Sequence, residues 1–169
     1  SQANGEIECA VQNFEGHFRA CKLALEARVK RKIGLEHPII KWMVMHAADL
    51  LARFEVSRMG KTGYERLKGK SYKGDMVEFG AKVHDRLLKG TPKAEKRWAM
   101  GVWLGKQWSS DEHILWDLSD DAKLHIEKSR AIKALPIEES WSLEDVMKVK
   151  GVPWRLEGEV DDKADLEIQ

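Results

Sequence analysis

The 169 residues, 43% of them hydrophobic, are enough for one ordinary domain or two small ones with a modest core. No apolar run approaches the roughly 20 residues that span a bilayer, and the first residues lack the basic, apolar and small-residue order of a secretory leader, so a soluble intracellular chain, nuclear or cytoplasmic, is expected. The formal net charge of +1 is unevenly spread: positions 53–97 hold 13 Lys/Arg against 6 Asp/Glu, and positions 136–169 hold 4 against 10. A polyanion partner suits the basic middle and a solvated, self-competing role suits the acidic end; two merely solvated surfaces are the plain alternative.

The chain opens at Ser1 without a methionine, which suggests that working sequence lies upstream. From Gly5 to Lys32, Ile7, Val11, Phe14, Phe18, Cys21 and Leu25 recur at steps of four and three and line one face of a predicted helix. Glu8, Gln12, Glu15, Arg19, Lys22 and Glu26 occupy an adjoining face. The basic end "RVKRK" suits a helix C-terminus, and Gly34 is expected to stop the helix. Cys9 and Cys21 lie too far apart on this helix for a bridge and read as reduced thiols. His17 and Cys21 share the spacing of two metal ligands on one face, but two ligands without a CxxC or HxxxH elsewhere do not make a zinc site.

Pro38 starts a second helix, "HPIIKWMVMHAADLLARFEV", which is apolar almost all round and so buried on more than one side; His46 within it reads as a hydrogen-bonded core residue. Its cover is expected from outside the chain, because the later strands look like a separate unit. In "GKTGYERLKGK", Thr62 and Glu65 stand at capping-box spacing, so a short helix begins after Thr62, closed by Gly69 and Gly74.

From Met76 to Leu135, short runs of Val, Trp, Leu and Ile are broken by Gly80, Gly90, Pro92, Gly101, Gly105 and Asp120-Asp121, which predicts about four or five short strands in a small barrel. Trp98, Trp103, Trp108 and Trp116 crowd into it; filling a small barrel's centre outweighs an aromatic cage for a methylated amine. After Pro136 one short helix fits "SLEDVMKVK", and the acidic end has little to bury. The fold class is α+β: helices over 1–75, a small barrel over 76–139 and an acidic, largely flexible tail over 140–169.

The opening "SQANGEIE" resembles the Gly-x-x-Glu segment of retroviral and retrotransposon integrases, in which a Ser/Asn/Gln-rich loop leads into a helix carrying the last member of an Asp, Asp, Glu triad. "KTGYERLKGK" is similar to the Thr-x-Tyr-Glu-Arg-Leu segment of copia-like LTR retrotransposon polyproteins. "VEFGAKVH", "KRWAMGVWLGKQ", "HILWDL" and "EKSRAIKALPIEE" follow in the family's order, with Trp103 where Phe is usual, so the resemblance covers about residues 1–139.

On that match Glu8 is the catalytic, metal-binding glutamate and Gly5 its loop hinge. Residues 1–75 become the C-terminal helical part of an RNase H-like integrase core, and 76–139 an SH3-like barrel. The resemblance implies two aspartates upstream of Ser1 and two Mg²⁺ or Mn²⁺ ions about 3.5–4 Å apart, serving phosphoryl transfer in DNA integration. The isolated chain is expected to be inactive and to hold no metal tightly. Its implied partners are DNA, the missing part of the core and a second copy of itself, with no membrane. The rival expectation is a stand-alone module whose barrel binds a peptide, chromatin or RNA.

Some relatives carry lysines one and two turns after the glutamate, where this chain has Gln12 and Glu15. DNA contact is therefore expected from the basic middle. Lys61, Arg66, Lys68, Lys70 and Lys73 lie on or beside the short helix, and Lys82, Arg86 and Lys89 run along the first strand. Strand alternation puts Lys82 and Arg86 on one face and Lys89 on the other, so the first two are expected to matter more.

Overall fold

The computed structural model describes residues 2–86, 98–119 and 125–155. Helix α1 (Gln2–Val29) is already under way at Gln2, so the opening stretch is helix rather than loop, with Gly5 inside it and Glu8 in its second turn. A helical Gly costs about 1 kcal/mol against Ala, a penalty that the long striped helix behind it absorbs. The helix also stops earlier than Gly34: Lys30 turns left-handed (φ 57°) and the Arg31 N–H donates to the Glu26 carbonyl at 3.2 Å, a left-handed C-terminal cap.

Helix α2 (Ile39–Phe54) follows Pro38, and α3 (Gly63–Lys68) starts at Thr62 as its capping box predicts. Five strands come next: β1 (Lys82–Arg86), β2 (Trp98–Lys106), β3 (His113–Asp117), β4 (Ile126–Ser129) and β5 (Ile132–Ala134). They form one antiparallel sheet in the order β4-β3-β2-β1-β5.

This order forces curvature. β4 and β5 sit at opposite edges, yet only Arg130 and Ala131 join them. That link reaches at most about 11 Å, whereas four strand spacings in a flat sheet need about 19 Å. The sheet must curl until its edges approach. Its inner side holds Val83, Trp103 and Leu115 with Met76, Val77 and Ile132.

The outer side presents Val102, Leu104, Ile114 and Trp116 to the helices. There they meet Ile39, Ile40, Trp42 and Met43 of α2, Phe18, Cys21, Leu25 and Val29 of α1, and Phe79. The cover for α2 thus comes from within the chain, against the expectation from sequence. Gly80 (φ 84°) makes the fit of α1 possible, because a Cβ there would lie 2.6 Å from a Leu25 methyl.

The segment expected to be a flexible tail is also partly structural. Helix α4 (Leu143–Met147) is capped by Ser142, and Val146 and Val149 are buried in the same core, with Trp141 against it. The Trp42 indole donates to the Lys150 carbonyl at 3.2 Å, and the Lys82 N–H donates to the Ser140 carbonyl at 2.8 Å. Residues from 1–75, 76–139 and 140–155 therefore share one core, because α2 is apolar on both the α1 side and the sheet side. The acidic end from 156 lies outside the described residues. Among the described residues no helix is long and apolar enough to cross a membrane.

Removing a buried methyl pair from this shared core should be felt by the whole fold. Val146→Ala and Val149→Ala are each expected to destabilise by about 1–3 kcal/mol in urea unfolding. A 76–139 fragment, stripped of α1, α2 and α4, should show no cooperative transition; a two-state melt of that fragment is the result that would contradict the shared core.

Candidate functional site

Basic side chains in this molecule fall into two groups. Some have carboxylate partners: Lys22 with Glu26, Arg28 with Glu78 at 3.0 Å, Lys106 with Asp111 at 2.9 Å and Lys82 with Asp145 at 3.3 Å. Lys61, Arg66, Lys68, Lys70 and Lys73 are exposed, and none takes part in an ion pair among the described residues.

These five are mounted on a well-fastened support. The Thr62 hydroxyl accepts from the Glu65 N–H at 3.0 Å, the Glu65 carboxylate accepts from the Thr62 N–H at 2.8 Å, and Gly69 (φ 73°) closes α3. That carboxylate also takes the Ser71 hydroxyl, so its negative charge is committed to the cap. Of the other predicted contacts, Lys82 is turned to the acidic C-terminal segment through Asp145. Arg86 ends β1 opposite Trp98, and Lys89 lies outside the described residues.

Glu8 is exposed on α1. Its end of the helix is tied back by Glu6 to Arg58 at 3.5 Å and by the Asn13 amide donating to Glu55 at 2.6 Å. No three His, Cys, Asp or Glu side chains among the described residues come together as a metal site, the His17 and Cys21 pair included.

Behind α3 lies a cluster that sequence reasoning missed. Arg53, near the end of α2, is fully buried. Its Nε donates to both Asp49 oxygens at 2.9 and 2.8 Å, and its Nη1 donates to Asp111 at 2.8 Å. Three rings surround the guanidinium, with centroids 4.4 Å (Tyr72), 5.1 Å (Trp108) and 5.5 Å (Tyr64) away. Its Nη2 has no hydrogen-bond partner, so the ring faces supply the remaining stabilisation of the charge. Lys106 joins the same group, donating to Asp111, the Tyr72 hydroxyl and the Asp75 carbonyl. Burial alone would raise the Asp111 carboxyl, but the Lys106 hydrogen bond and charge outweigh it and hold the group below the ordinary carboxylate range.

Trp103 fills the inner side of the sheet, as expected, whereas Trp116 is buried on the outer side against the helices; Trp108 instead faces a cation, the chain's own Arg53. The only sequence trace of this cluster is an Asp-Arg pair at i, i+4 inside an otherwise apolar helix.

Beside the cluster, α2 and the β2–β3 hairpin enclose a cleft of about 260 Å³, walled by Trp42, Met45, Leu104, Trp108 and Ile114. His46 also lines it, stacked on Phe79 (5.3 Å between centroids) and edge-on to Trp103 (5.2 Å). His46 is buried as expected, but its Nδ1 has no hydrogen-bond partner, contrary to the reading from sequence. Burial, helped by the charge of Arg53, pushes His46 down to about 4. His113, which accepts from the Trp103 indole at 3.0 Å, is likewise pushed down to about 4 by burial, then by Lys106.

Two predictions follow from these groups. Arg53→Ala strands the Asp49 carboxylate, removes one of three donors to Asp111 and should destabilise by about 3–5 kcal/mol; Arg53→Lys, which keeps the charge but loses the fork, should cost less in the same urea titration. For pH, the unfolded chain protonates its histidines near 6.5 while His46 and His113 stay neutral to about 4. The unfolded state thus binds more protons within that window, and stability should fall as pH drops from about 6.5 to about 4, then stop falling on their account. A His46→Phe chain should show a shallower decline of melting temperature over the same window. Comparison of the chain with protein-family models, with curated proteins and with solved structures finds no match.

Proposed function

We propose that the chain is the C-terminal part of a copia-like LTR retrotransposon integrase, and that its own contribution is nucleic-acid binding through the cationic segment 61–73. The observation that carries the binding is the set of five exposed bases on and beside a capped helix, within thirteen consecutive positions and with no ion pair among the described residues. Such a patch meets phosphates by counterion release, and so with affinity but little sequence preference.

The family reading is supported by the way the matched segments fall on regular structure. "GVWLG" runs along β2, the Trp116-Asp117 pair ends β3, and Ser129-Arg130 ends β4 and opens its link to β5. A four-strand meander whose fifth strand returns beside the first is also the order of an SH3-like barrel. On this reading Glu8 faces solvent because the rest of its site, two aspartates, comes from elsewhere. Glu8 alone does not fit a Mg²⁺ or Mn²⁺ site, since either ion needs a shell of several oxygens. The reading as a methylated-amine reader is disfavoured, because the aromatic group around Arg53 is filled by the chain's own guanidinium.

A salt titration of duplex DNA binding tests the proposal. Changing Lys68, Lys70 and Lys73 together to Glu should weaken binding about equally on unrelated duplexes and flatten the log–log salt slope by roughly 3. Lys82→Glu and Glu8→Gln should leave both unchanged. If the triple variant keeps the parent's affinity and slope, the segment is a solvated surface and the proposal fails.

A further inference from the structure

Just ahead of the cationic segment stands a group that phosphate contact alone does not use. Met59 is 77% exposed and Leu67 74%, the two most exposed large apolar side chains among the described residues. Both stand among bases: Met59 follows Arg58 and comes two positions before Lys61, and Leu67 lies between Arg66 and Lys68. A single exposed apolar residue is ordinary in itself. Leu67 lies along the side of α3, whereas Met59 is mounted at the tip of a fastened turn.

Val56 and Thr62 pair as an antiparallel bridge, and the chain reverses within the five residues between them. The Ser57 N–H and hydroxyl both donate to the Lys61 carbonyl, at 3.0 and 2.8 Å, and the Gly60 N–H donates to the Ser57 carbonyl at 2.9 Å. Gly60 takes φ +73°, which L side chains rarely adopt, and so lets the reversal close. One leg of the turn ends on Thr62, whose hydroxyl and N–H are both engaged in the α3 capping box. The tip is therefore fixed to the helix that carries Arg66 and Lys68, and at it Arg58, Met59 and Gly60 are all exposed. Arg58 holds Glu6 at 3.5 Å, but this pair lies in water and is worth little, so the guanidinium can exchange the carboxylate for a phosphate.

We propose that Met59 is a wedge that enters the base stack of a bound DNA duplex and bends it, with Arg58 and Lys61 on the flanking phosphates. This rests on the nucleic-acid reading above and adds what the chain does to the duplex once bound. An apolar side chain inserted between base steps partly unstacks them and kinks the duplex, which brings more of it onto the protein surface. Methionine suits the task, because it is unbranched and its thioether is polarizable. Pyrimidine–purine steps unstack readily and A-tracts resist, so the wedge discriminates between duplexes of equal charge. An anionic membrane surface is the poorer match: binding there scales with the apolar area buried, and the tip offers one side chain.

The test is energy transfer between dyes at the two ends of a duplex of roughly 20 base pairs, carrying either a central TG step or an A-tract, bound by the full chain. Binding should bend the TG duplex by about 20° or more, and the chain should bind it about three- to tenfold tighter than the A-tract duplex. Met59→Ala should leave the bound duplex straight and remove the preference, with the log–log salt slope unchanged because no phosphate contact is lost. Met59→Leu, which keeps a large apolar side chain, should retain both effects. Leu35→Ala, which trims an exposed apolar side chain outside the basic stretch, should alter neither. A bound TG duplex that stays straight, or a Met59→Ala chain that bends it as well as the parent, overturns the wedge and leaves the phosphate contacts standing. Binding to neither duplex overturns the nucleic-acid reading and the wedge with it. Phosphatidylserine vesicles are the rival ligand: vesicle binding that is lost on Met59→Ala, with no bend in DNA, assigns the tip to a lipid surface and overturns the proposal.

Discussion

A buried guanidinium is the constraint around which this molecule is arranged. Arg53 pays a desolvation penalty of several kcal/mol to leave water, and only a complete shell returns it. That shell is drawn from four separate stretches: Asp49 on α2, Tyr64 on α3, Tyr72 in the segment after it, and Trp108 with Asp111 in the β2–β3 turn. Losing any of them leaves charge exposed to a low-dielectric interior, so the four stretches are held in one geometry. The aromatic rings suit the task because they offer negative faces without bringing further charges that would themselves need partners.

The second dependence is between sheet and helices. A five-stranded sheet this short has an inner side barely large enough for Trp103, Leu115 and Val83, and its outer side is as apolar as its inner. An independent barrel would expose Val102, Leu104 and Ile114 to water, while α2 without the sheet would expose Trp42 and Met43. Each surface is the other's solvent shield. The helical and β segments are therefore one folding problem, to which α4 adds Val146 and Val149 at the seam.

What the sequence revealed follows from what local rules can express. The α3 cap was legible because Thr62 and Glu65 satisfy each other within a single turn. The strands were legible in outline because Val, Trp and Ile runs are broken by glycines. The stripe on α1 was legible as a stripe, but periodicity says which face is apolar and not what covers it: Leu25 is buried while Ile7 and Val11, on the same stripe, are exposed. The expectation of a separate barrel failed for the same reason, since the alternation in β2 shows two apolar sides without naming the partner of either. The company Gly5 keeps suggests a hinge, yet the helix runs through it. The Arg53 cluster was the least legible, because Arg53 and Asp111 lie 58 positions apart and only the fold makes them neighbours.

The cationic segment and the cleft are linked through this cluster rather than placed independently. Tyr64 projects from α3, meets Tyr72 at 5.2 Å and Trp108 at 5.5 Å between centroids, and so fixes the helix that carries Arg66 and Lys68. Trp108 turns its other surroundings toward the cleft, whose lining it shares with His46 and Leu104. Asp111, left-handed at φ 59°, anchors the turn that positions Trp108 by accepting from Arg53, Lys106 and Tyr72 at once. A non-glycine residue in that conformation is strained by itself, and three donors on one carboxylate offset the strain. Several negative charges are consumed inside: Asp49 and Asp111 by Arg53 and Lys106, Glu65 by its cap and Asp145 by Lys82. The same internal pairing that solves the burial of Arg53 thus keeps Asp49 and Asp111 from the exposed bases of α3 and its following segment.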